Sequence, residues 1–153
     1  MDDIKRLIKD LDWNKPEDIT HKAMEELFQV NEEEAILLAD QSNDLCSKCC
    51  WYNASVILKE IGYPRNRLTL PYLMSWFQDI NSPGVPNIIE LFKGIDIEIL
   101  IPHIKYAMEN ALKEKDDFWA FGILRLLDEM NISNCNFKEN GLFNQLVKLS
   151  QIE

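Results

Sequence analysis

Carboxylates are the side chains in this chain whose types and spacing come closest to doing chemistry. Asp116 and Asp117 stand just before Trp119. With Asp79 or Glu90 delivered from a neighbouring helix pair, they could form a paired site for proton transfer or for a divalent cation. Acids also collect at helix starts, where their oxygens accept hydrogen bonds from free backbone N–H groups and meet the positive end of the helix dipole. No histidine lies close in sequence and no second part of a catalytic motif is present, so the capping role is the stronger reading. The only histidines are His21 and His103. His103 follows Pro102 inside an apolar stretch, which suits a helix residue better than a general base.

Cys46, Cys49, Cys50 and Cys135 admit a metal site, a disulfide or plain thiols. Cys46-x-x-Cys49 is half a zinc site, but zinc needs four ligands and Cys135 has no cysteine near it. With no secretory signal, stable disulfides are not expected, and plain thiols are the favoured reading. Arg65 and Arg67 beside Tyr63 could grip a carboxylate or a phosphate. Base-excising helical repeats are a fold-level analogy only, because they need a broad basic groove and this chain carries a net charge of −10. No catalytic residue, metal or cofactor is therefore expected, and the chain reads as a non-enzyme.

A surface for recognition is easier to place. Trp76, Gln78, Asp79 and Asn81 put an acid and two amides beside tryptophan at a helix end, where they could meet a partner's backbone or basic side chains. Asp116, Asp117 and Trp119 complete this candidate interaction surface. The competing and stronger explanation is structural, with Asp79 and Asn81 accepting hydrogen bonds from the amides that open the next helix.

The elements that must position these residues are helical, since apolar spacing of three and four dominates and strict alternation is scarce. Ile4, Leu7, Ile8 and Leu11 form one stripe. Pro16 suits a first helical residue before a helix burying Ile19, Ala23, Met24 and Leu27. Asn31 and Glu34 resemble a capping box for Ala35, Ile36 and Leu38. Trp51, Ala54, Ile57, Leu58 and Ile61 make a well-defined face, closed by Gly62 and Pro64. Its partner carries Leu70, Leu73, Met74 and Phe77, with Pro71 tolerable only in the first turn. After a tight turn at Asn81-Ser-Pro-Gly84, one helix bears Ile88, Ile89, Leu91 and Phe92 and ends at Gly94. A longer one bears Leu100, Ile104, Met108 and Ala111. The next is read with Phe118, Phe121, Leu124, Leu127 and Met130 as its core face, and Leu142, Leu146 and Leu149 supply a final capping helix.

These helices recur. Asp12-Trp13-Asn14-x-Pro16, Cys50-Trp51-x-x-Ala54, Asp79-x-Asn81-x-Pro83 and Asp117-x-Trp119-Ala120 each open an apolar segment, and Trp51 and Trp119 lie 68 residues apart. Two steps of about 34 point to stacked helix pairs. The expected fold is all-α, a HEAT-like α-α superhelix of about seven to nine helices in one domain spanning residues 1–153. The text Trp51-x-x-Ala54-x-x-x-Leu58-x-x-Ile61-Gly62-Tyr63-Pro64, then Leu70-Pro71-Tyr72-Leu73 and Trp76-x-Gln78-Asp79-x-Asn81-x-Pro83-Gly84 resembles a bacterial domain of unknown function, family 5071, over Leu7 to Met130. That resemblance implies a HEAT-type repeat and carries no catalytic residues with it. Ser82 departs from the family pattern, which has tryptophan before the proline.

Composition bounds the function. At 46% hydrophobic residues the chain can bury one core, and the stretch from Ile95 to Ile104 is broken by Asp96, Glu98 and Pro102. Met1-Asp2-Asp3 carries acid where a signal peptide needs base. A cytoplasmic location is expected, so the sequons at Asn53 and Asn131 have no meaning. Met1 to Asp40 holds five bases against twelve acids. Such a surface repels phosphate backbones and attracts basic proteins, although the stronger explanation of the acidity is solubility alone. The function expected is a protein-protein interaction module, in its sharpest form an immunity protein binding a basic toxin. The alternatives are a carboxylate- or metal-dependent enzyme and a structural subunit of a larger assembly.

Overall fold

Apolar faces at helical spacing can be buried only against one another, and in the computed structural model they are. It describes residues 2–45, 47–133, 136–137 and 140–151. Among these the secondary structure is helical throughout: α1 (Asp2–Lys9), α2 (Glu17–Leu27), α3 (Glu32–Ala39), α4 (Trp51–Ile61), α5 (Leu70–Met74), α6 (Val85–Lys93), α7 (Ile97–Glu114), α8 (Asp117–Glu129) and α9 (Asn140–Ser150). Short 3-10 turns occupy Lys48–Cys50, Arg67–Thr69 and Ser75–Gln78.

Contacts run between successive helices and between alternate ones. Helix α2 touches α4 and α4 touches α6, while α3 touches α5, α5 touches α7 and α7 touches α9. That is the connectivity of helix pairs stacked in two layers, compatible with the expected superhelix. One core threads the stack, with Leu27, Ile57, Phe77, Phe92, Ile104 and Leu146 among its fully buried members. Phe77 and Phe92 stack with ring centres 6.0 Å apart.

Local signals place most of the helix ends. Asn31 and Glu34 form the full reciprocal cap: the Glu34 amide donates to Asn31 Oδ1 at 2.8 Å and the Asn31 amide donates to Glu34 Oε1 at 2.9 Å. Asn31→Ala should lower unfolding free energy by about 1 kcal/mol, read by urea denaturation. A loss under a few tenths would mean α3 is held by packing alone. Pro71 sits in the first turn of α5, and Gly62 and Gly94 stand at the ends of α4 and α6. Pro16 lies one residue earlier than expected, at the N-cap of α2.

Three packing expectations are corrected. Ile19 is exposed, and Thr20 takes its buried place in α2 with its hydroxyl on the Pro16 carbonyl. Phe118 and Phe121 are also exposed, at 73% and 48%. The inward face of α8 is instead Trp119, Ala120, Ile123, Leu126 and Leu127. Both stripes have helical spacing, and α8 is rotated so that the one containing the tryptophan meets its neighbours α7 and α9 and the Ser75–Gln78 turn.

Candidate functional site

The site is built where α8 crosses the chain that leaves α5. After the Ser75–Gln78 turn the backbone bends sharply. The Asp79 carboxylate accepts from the Asn81 amide at 3.0 Å, and the Asp79 carbonyl accepts from the Ser82 amide. Gly84, with φ 94°, completes the reversal into α6. Opposite this turn, Asp116 caps α8 by accepting from the Trp119 amide at 3.0 Å, which presents Asp117 and Phe118 in the first turn of the helix. Gly122 lets the two pieces touch, because a Cβ at that position would lie 1.9 Å from the Phe77 carbonyl oxygen.

Between them runs a groove with two lobes. The first, about 510 Å³, is lined by Gln78, Asp79, Asn81, Asp117, Phe118 and Phe121, with Ile80 and Ser150 at its edges. The second, about 500 Å³, is lined by Val85, Ile89, Glu90, Arg125 and Glu129 and shares Ile80, Asn81 and Phe121 with the first. The lining mixes apolar side chains, Ile80, Phe118 and Phe121 among them, with the acids Asp79, Glu90, Asp117 and Glu129 and with Arg125. Four of the proposed surface residues, Gln78, Asp79, Asn81 and Asp117, meet in the first lobe, and Asp116 supports it from behind.

The two tryptophans of the proposed surface do not belong to it. Trp76 is 1% exposed and its indole N–H donates to the Ala39 carbonyl at 2.8 Å. Trp119 is 5% exposed and donates to the Met74 carbonyl at 3.1 Å. Each ring fills the core while its N–H ties one helix end to another, since a buried indole needs a hydrogen-bond partner. Trp51 packs on Trp76 with centroids 6.1 Å apart, so tryptophans placed far apart in sequence serve one joint. Phe118 and Phe121 are the surface residues that periodicity concealed. The signal available was that α8 has more apolar residues than one buried stripe can hold.

The groove's ion pairs are loose. Lys48 reaches Asp79 at 3.7 Å, Arg125 reaches Glu129 at 3.7 Å and Lys93 reaches Glu90 at 3.5 Å, all with well-exposed side chains. Pairs of this kind contribute little stability and can be exchanged for others. Asp117 has no cationic partner among the described residues.

Other candidate groups are committed to the framework. Arg65 donates to the carbonyls of Phe28 and Val30 at the end of α2, at 2.9 and 2.6 Å. Arg67 pairs with Glu32, whose carboxyl is held below its ordinary range by that hydrogen bond, and Arg67 is raised in turn. Both arginines therefore have partners within the fold. His103, half-buried in α7, is pushed below the usual imidazole range by desolvation alone. His21 lines a smaller cleft of about 340 Å³ with Trp13 and Tyr52. Among the described residues no three His, Cys, Asp or Glu side chains converge as a metal-holding group.

The cysteines divide. Cys49 is a free, half-buried thiol, but Cys50 is buried and disulfide-bonded. That corrects the expectation of plain thiols at Cys50, because adjacency in sequence does not say which sulfur faces inward. Cys46 and Cys135 lie outside the described residues.

A family model described as a domain of unknown function, DUF5071, matches residues 52–153. The chain belongs to that family. The matched region holds both lobes of the groove and all of α5 to α9, whereas α1 to α3 precede it, so the family text begins later than the Leu7 expected. No curated protein and no solved structure matches the chain. At the position where the family pattern was read as tryptophan, Ser82 is buried within the Asp79–Gly84 turn. Within this DUF5071 domain no helix is long and apolar enough to cross a membrane, and the same holds for the rest of the described chain.

Proposed function

We propose that the chain is a non-enzymatic protein-binding module, and that its partner is a basic protein. The sharpest form of this reading is an immunity protein that masks a basic toxin. The observation that carries it is the exposure of Phe118 and Phe121 side by side on α8, at a groove also lined by Asp79, Glu90, Asp117 and Glu129. Exposed aromatic pairs are favourable to cover, and the acids beside them select a positive partner and speed its approach. Two of the four candidate carboxylates hold local structure: Asp116 caps α8 and Asp79 holds its turn.

The test compares the tagged chain with a Phe118→Glu/Phe121→Glu variant as bait in lysate from the source cell. Washes are made at low salt and at about half-molar salt, where the screening length is a few ångströms. The chain should retain a basic protein at low salt, less of it at high salt, and the variant should retain none. Because both rings face solvent, the substitutions should leave unfolding free energy within about 0.5 kcal/mol. Identical recovery by the two baits would remove the groove from the reading.

A further inference from the structure

We propose that the first lobe of the groove receives an arginine side chain of the partner. The inference rests on the protein-binding reading and says what the partner must present. A guanidinium is planar and weakly hydrated, stacks on aromatic faces, and carries five donors that need acceptors. The lobe supplies all of this. Phe118 and Phe121 expose their rings along one side. Asp79 and Asp117 approach from two different elements, and the side-chain amides of Gln78 and Asn81 add carbonyl acceptors.

The local charges leave room for an incoming cation. Asp117 has no cation of its own among the described residues, and Lys48 holds Asp79 only at 3.7 Å with both side chains more than half exposed. An arriving arginine can displace that contact at small cost. Lysine suits the lobe less well, because an ammonium keeps its water more tightly and gains less from a ring face. A second copy of this chain is a poor occupant, because closure would set two acid-bearing grooves against each other on molecules of charge −10.

The experiment is an NMR titration of the full chain with N-acetyl-arginine-N-methylamide, following the phenylalanine rings and the Gln78–Asn81 amides. The lysine and citrulline analogues serve as controls. The arginine probe should saturate these signals with a dissociation constant on the order of millimolar. It should bind several-fold more tightly than the lysine probe and about tenfold more tightly than uncharged citrulline. Asp117→Asn, at a half-buried position, and Phe118→Ala, at an exposed one, should each weaken it several-fold. No saturable shift up to about 50 mM, or equal shifts with lysine or citrulline, would overturn the proposal. So would Phe118-dependent dimerisation in sedimentation velocity. If the probe fails while capture still depends on Phe118 and Phe121, the arginine assignment falls and the binding reading stands; if both fail, the reading falls with it.

Discussion

Gly122→Ala should lower the unfolding free energy by more than about 3 kcal/mol in urea denaturation followed by circular dichroism, an effect beyond ordinary overpacking. Alanine is the better helix former, so propensity alone predicts a gain of about 1 kcal/mol. The opposite outcome is expected because the new Cβ would sit 1.9 Å from the Phe77 carbonyl oxygen and 2.9 Å from its carbon. Those are backbone atoms inside the Ser75–Gln78 turn, which cannot swing aside as a flexible side chain would. Relief requires α8 to move away from the turn, opening the joint that brings Phe118 and Phe121 to face Gln78 and Asp79. Gly141→Ala in α9 is the control, since among the described residues its Cβ would meet nothing closer than 3.8 Å. That variant should be neutral or gain about 0.5–1 kcal/mol. Equal effects at the two glycines would refute the close-approach account.

The second large effect is expected at Trp76. Trp76→Ala removes a fully buried ring that packs on Trp51 and should cost about 3–5 kcal/mol. Trp76→Phe separates the ring from its hydrogen bond. It keeps most of the apolar volume but leaves the Ala39 carbonyl without its 2.8 Å donor, so a loss of about 1–3 kcal/mol is expected. A phenylalanine variant as stable as the parent would mean that the end of α3 is held by packing and not by the indole. Neither substitution touches the groove directly. Any loss of partner capture by a folded Trp76→Phe variant should therefore be small beside that of Phe118→Glu/Phe121→Glu.

The two predictions mark different depths of legibility. Trp76 was visible in the sequence as an important residue, but its type allowed two roles, a binding anchor on the surface or a core ring with a satisfied N–H. Spacing cannot separate these, because whether Trp76 faces a partner or Ala39 depends on a contact 37 residues away. Asp116 was legible as a helix cap, since capping involves an amide three residues along. Asp79 instead holds its own turn through the Asn81 amide, and the expected side-chain bonds to the opening amides of α6 are not made, Gly84 standing at its N-cap without one. Gly122 carried no visible signal at all. A glycine inside a helical pattern reads as a weak point until the neighbouring backbone is seen.

The groove itself was half legible. Gln78, Asp79, Asn81 and Asp117 were grouped from their types, and the fold brings them into one lobe. Phe118 and Phe121 were assigned to the core because they share helical spacing with Leu124 and Leu127. In α8 two apolar stripes overlap, and periodicity alone ranks them equally. The choice was made by the partner surfaces: Trp119 finds the Met74 carbonyl and Gly122 finds the Phe77 backbone only in one rotation of the helix.

By itself, the sequence determined what depends on neighbours within a turn or two. It specified helices throughout, the Asn31–Glu34 cap, the proline of α5, the glycine ends of α4 and α6, and the net acidity of the chain. Only the tertiary structure decided which side of α8 faces water, that Trp76 and Trp119 are interior, that Cys50 is disulfide-bonded while Cys49 is free, and that Asp79 and Asp117 share a groove. The reason is physical: hydrogen bonds and propensities act over three or four residues, whereas burial is settled by whichever distant surfaces fit together most closely.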